Sequence, residues 1–140
     1  MIIDLISHIA NKNGLTNDTA KQTLGIILNA AERQDSPFAA AMFQAIPGAR
    51  ALSARTGSDI GAATGVIARL IEQTPNGKRH VGQMMIRDLH ALGLSHEDIG
   101  KLLPAVSGFV EERCGLSGFG HLGDLIGKDL NADKSAQKAA

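Results

Sequence analysis

Apolar residues recur every three to four positions along almost the whole chain, and no window keeps the strict alternation of a half-buried strand. The pattern predicts an all-α protein. Leu5, Ile6 and Ile9 mark a first helix that stops at Asn13-Gly14. Thr16 suits the cap of a second helix, whose stripe is Ala20, Thr23, Leu24, Ile27, Leu28 and Ala31. Lys21, Gln22, Asn29, Glu32 and Arg33 fall on its opposite face. Ser36 and Pro37 fit the start of a short helix buried through Phe38, Ala41, Met42 and Ala45. Ile46-Pro47-Gly48 ends it, and a brief helix or turn over 49–54 follows.

Ser58 then caps an expected central helix over 58–73, with the stripe Ile60, Ala63, Ile67, Leu70 and Ile71. Thr74-Pro75-Asn76-Gly77 is the strongest breaker in the chain, and with Lys78-Arg79-His80 it marks 74–80 as an exposed linker. A helix over 81–92 buries Met85, Leu89 and Leu92 and stops at Gly93. Ser95, with Asp98 three residues on, opens a helix striped by Ile99, Leu102, Leu103, Val106, Phe109 and Val110. Residues 115–127 are glycine-rich and read as a turn and a short helix through Leu122, Leu125 and Ile126. Residues 128–140 are polar and read as a flexible tail.

Gly14-Leu15-Thr16-Asn17-Asp18 returns as Gly93-Leu94-Ser95-His96-Glu97, an offset of 79 residues from Gly14 to Gly93. The register continues through Leu24 and Leu103, Ile27 and Val106, and Ala31 and Val110. This reads as an internal duplication. The expected architecture is one compact multi-helical domain over 1–127, built from two related helical halves. Halves 1–57 and 81–127 pack about a pseudo-two-fold, joined by the central helix and the linker. Gly25 aligns with Pro104, two poor helix-interior residues, so the position is expected to be bent or tightly packed in both halves.

Composition narrows the picture. With no Trp, no Tyr and four Phe, the core must be mainly aliphatic. Lys plus Arg equals Asp plus Glu at fourteen each, and the two signs are mixed throughout, which disfavours a nucleic-acid partner. The lone Cys114 allows no intrachain disulfide. The first residues lack a basic signal-peptide region, and no stretch approaches the roughly 18 apolar residues of a transmembrane helix. A cytoplasmic location is the plain expectation.

Gly57, Gly61 and Gly65, extended by Ala68, form a GxxxGxxxG run on the expected central helix. Bare glycines four apart let a second backbone approach, so the stripe suits close packing inside the domain or a homotypic helix contact. Asp59 and Arg69 oppose a membrane-inserting reading. Arg50, Arg55, Lys78, Arg79 and Arg87 are the candidate basic contacts for a nucleic-acid partner, although no Tyr or Trp is present to stack bases. A helix–turn–helix outline over 81–113 is opposed by Glu97 and Asp98 at the start of its second helix. Gly115-Leu116-Ser117-Gly118-Phe119-Gly120 lacks the lysine of a phosphate loop and the GxSxG of a hydrolase. The five histidines show no metal-ligand spacing, and no cofactor is expected. An enzyme would need a pocket holding at least two of His90, His96, Cys114, His121 and Asp124. Met42, Met84 and Met85 are candidates to line an adaptable cavity for an apolar ligand or lipid.

Two segments carry a resemblance. AIPGA at 45–49, after a short Phe/Met helix, resembles the bacterial VcgC/VcgE-like proteins, a family of unknown function, as does the GLT…A…LG run over 14–25. LGLSHEDIGKLLPAVSGFVEE at 92–112 is similar to that family's C-terminal segment and to the YidB-like helical proteins. The resemblance implies an all-α fold and a bacterial source, with no substrate or catalytic residue to carry over. The expected function is therefore a non-enzymatic protein-interaction or self-association module. The alternatives are a nucleic-acid-associated helical protein and a carrier of a small apolar ligand or lipid.

Overall fold

The computed structural model describes residues 1–115, and among these the chain is all-α, without a strand. Seven helices follow in order: α1 (Ile2–Asn13), α2 (Asn17–Arg33), α3 (Pro37–Ala45), α4 (Ala49–Asp59), α5 (Val66–Glu72), α6 (Pro75–Ala91) and α7 (His96–Cys114). The glycine-rich turn and short helix read over 115–127 and the tail over 128–140 lie outside the described residues, Gly115 excepted.

Local rules set most of the boundaries. Thr16 caps α2 by accepting from the Thr19 N–H at 3.1 Å, satisfying a donor that has no partner within the helix. Ser36 accepts from Phe38, and Pro37 occupies the first position of α3. Ser95 and Asp98 form a reciprocal capping box at α7, with bonds of 3.1 and 3.0 Å. Gly14 and Gly93 each sit in the turn ahead of a capped helix, and Leu15 and Leu94 bond back to Ala10 and Leu89.

α2 is the hub. Every residue from Thr23 to Ala31 is buried, because α1, α3, α4 and α6 all pack on it. α1 also seals against α7. The core is mostly aliphatic, with Leu5, Ile9, Leu24, Ile27, Leu89 and Leu102 fully enclosed. Gly25 is where α4 crosses α2: a Cβ there would lie 2.0 Å from Thr56 Oγ1. Pro104 has no such role. It is exposed inside α7, so of the two alternatives expected at the aligned positions, bent or tightly packed, tight packing is seen at Gly25 and not at Pro104.

The expected central helix over 58–73 does not form. α4 runs through to Asp59, and the chain turns over 60–65 before α5 begins. Gly61 and Gly65 take φ of 69° and 99°, outside the helical basin near −63°. The N–H of Ala62 bonds to the Gly57 carbonyl at 2.8 Å and closes the end of α4. The expected linker over 74–80 is also helical. Thr74 and Pro75 are the cap and first residue of α6, and Thr74 Oγ1 accepts from the Gly77 N–H at 3.0 Å.

Candidate functional site

The polar face and C-terminal end of α2 do not simply meet water; they bond to three neighbouring helices. Asn29 Nδ2 donates to the Ser53 carbonyl of α4 at 3.3 Å, and Ser53 Oγ donates to Glu32 Oε2 at 2.8 Å. Arg33 pairs with Glu72 of α5, their side chains only 13% and 10% exposed. Arg33 also reaches Asn29 Oδ1 at 3.5 Å, and Arg69 Nη1 lies 3.4 Å from Glu72 Oε1. Further along, Gln34 Nε2 donates to the Lys78 carbonyl of α6 at 2.6 Å. These polar groups are stable in a half-buried seam because each finds a partner.

This seam joins the packing of α5 on α6 in fixing which way α5 faces. Glu72 is the one buried residue of α5, and the Arg33 pair holds it inward. On a 3.6-residue helix, Ala68 and Arg69 then fall on the same inner side, and Val66, Ile67, Leu70 and Ile71 on the other. Those four are 76%, 76%, 62% and 61% exposed. Ile67, Leu70 and Ile71, expected to be buried on the central helix, thus point outward and with Val66 form an aliphatic ridge. An exposed Leu alone means little, whereas four large aliphatic side chains on two turns are a surface feature.

The glycine run is divided. Gly57 lies on the inner side of α4, where a Cβ would come 2.5 Å from Asn29 Nδ2. A Cβ at Gly61 or Gly65 would meet nothing within 4 Å, and Ala68 lies on α5. The four residues therefore share no helix face. The close helix crossing in this region is made by Gly25 and Gly57 on α2 and α4.

The basic candidates are spread over two helices. Arg50 and Arg55 are on α4; Lys78, Arg79 and Arg87 are on α6. The Arg50 guanidinium sits 4.7 Å from the Phe43 ring centre, and Arg87 pairs with Asp88 at 3.3 Å. Met42 and Met85 are packed in the core, and Met84 is partly buried on α6. A surface groove of about 420 Å³ opens elsewhere, where the starts of α1, α2 and α4 meet. Ile2, Ile6 and Leu52 contribute apolar lining, and Asp18, Lys21 and Arg55 contribute charge.

Of the residues an enzyme would need, His90 and His96 stack across the α6–α7 turn with ring centres 6.3 Å apart, and His90 Nδ1 lies 2.9 Å from the Leu94 carbonyl. The Cys114 thiol donates to Met1 Sδ at 3.2 Å. His121 and Asp124 lie outside the described residues. Among the described residues no three His, Cys, Asp or Glu side chains are grouped to hold a metal ion, and no helix is long and apolar enough to cross a membrane. No family model, curated protein or solved structure matches this chain.

Proposed function

We propose that this chain is a non-enzymatic self-association module whose contact surface is the α5 ridge. The observation that carries the reading is the exposure of Val66, Ile67, Leu70 and Ile71 on a helix whose one buried residue is an ion-paired glutamate. Exposed aliphatic patches of this kind mark interaction sites. The centre of the ridge is uncharged, so two copies can meet across a two-fold axis without like charges opposing each other.

The test is solution mass by light scattering over a range of concentrations, for wild type and Ile67→Asp. The Ile67 side chain is mostly in water, so the variant keeps its helical circular dichroism. A concentration-dependent dimer that becomes a monomer in the variant supports the reading. A single-chain mass for wild type at every concentration overturns it.

We take the protein as cytoplasmic and bacterial, on the support of its mixed, balanced charge, its lone cysteine and the short motif resemblances. We also take the pairs α1–α2 and α6–α7 as copies of one plan. Support comes from Thr16 and Ser95, which both cap the third backbone N–H of their helices at the same 79-residue offset, Thr16 to Ser95.

A further inference from the structure

The geometry points to the groove where α1, α2 and α4 begin as a binding site for a single-chain amphiphile with a carboxylate head, of the fatty-acid class. This site is separate from the α5 ridge: it takes its α2 wall from Asn17, Asp18 and Lys21, whereas α5 is anchored at Arg33, the other end of that helix. Its volume of about 420 Å³ is of the size that encloses small ligands. Ile2, Ile6 and Leu52 present hydrocarbon that an alkyl chain would remove from water.

The charge around this lining selects the head group. Lys21 and Arg55 are exposed, and neither makes an ion pair or hydrogen bond with another described residue. Asp18 lies in the same wall, so among the described residues the lining carries a surplus of one positive charge. That surplus matches a monoanion better than a dianionic phosphate or a cation. α4 adds to it: Gly48 offers no side-chain cap and the first turn holds no acid, so the positive end of the helix dipole is not offset there. The alkyl chain lies along the isoleucines while its carboxylate meets Lys21 and Arg55.

The test titrates dodecanoate, below its aggregation concentration, into the full chain by calorimetry. Dodecyltrimethylammonium serves as the cationic counterpart of equal chain length. Saturable binding of one dodecanoate per chain is expected, with the cationic probe at least about tenfold weaker, as the loss of charge-assisted contacts implies. The Lys21→Glu/Arg55→Glu variant, altered only at exposed positions, reverses that preference while keeping its helical signal. Ile67→Asp on the ridge binds dodecanoate as wild type does, so failure of the ridge reading and failure of this one are distinguishable. The proposal is overturned if dodecanoate does not saturate, if both probes bind equally, or if the double variant retains the carboxylate preference. It is also overturned if Ile3→Asp, at the groove edge, turns a dimer into a monomer while dodecanoate fails to bind, because a second copy then fills the groove.

Discussion

At Gly25, the space a methyl group would need is already taken by Thr56 Oγ1, 2.0 Å away. Gly25→Ala therefore lowers stability by about 2 kcal/mol, the usual range for overpacking a filled contact. Chemical denaturation measures the loss, and Gly25→Ala/Thr56→Gly costs less than the sum of the single changes. Asp98 illustrates a different kind of residue effect. The Ser95 backbone N–H first, then its hydroxyl and the nearby Lys101, hold the Asp98 carboxyl below the usual aspartate range. A pKa lower in the folded than in the unfolded chain stabilises the fold fully above the unfolded value, and that contribution is lost as pH falls through the folded value. Ser95→Ala moves the Asp98 midpoint part of the way up towards the ordinary value, as a carboxyl carbon titration by NMR measures.

For the elements, α5 is held by its packing on α6 and by the ion pair from Glu72 to Arg33 of α2. Glu72→Ala leaves the Arg33 guanidinium half-buried without its carboxylate, which costs about 3 kcal/mol. Arg33→Met/Glu72→Leu recovers most of that loss, because the desolvated charge goes with its partner; thermal unfolding of the three variants checks the order. The starts of α2, α3 and α7 are readable in the sequence because they depend on neighbours: Thr16, Ser36-Pro37 and Ser95 cap as their residue types dictate. The facing of α5 was not readable. Aliphatic residues at helical spacing ordinarily turn inward, and here a contact with Arg33, 39 positions back in the chain, reverses the rule. Thr74-Pro75 had the residue types of a helix start but was masked by Asn76-Gly77. Gly77 is small because α5 presses on it: a Cβ there would lie 1.9 Å from the Ile71 carbonyl oxygen.

Across the whole molecule, the all-α class followed from periodicity, and the aliphatic core from the absence of Trp and Tyr. The groove did not follow, because it exists only where three helix starts from distant parts of the chain converge. The polar seam is not legible for the same reason: Asn29, Glu32 and Arg33 look like any outer face until α4 and α5 are laid against them. The packing of α1 on α7 has a consequence for the order of events in assembly. A ribosome delivers α1 early and α7 last of the described helices. Until α7 arrives, the side of α1 that it covers, where His8 meets Phe109, is bare, and bringing the two helices together means closing the long loop of chain between them. The nascent chain is therefore most open to chaperones, proteases and clumping just before this final latch closes.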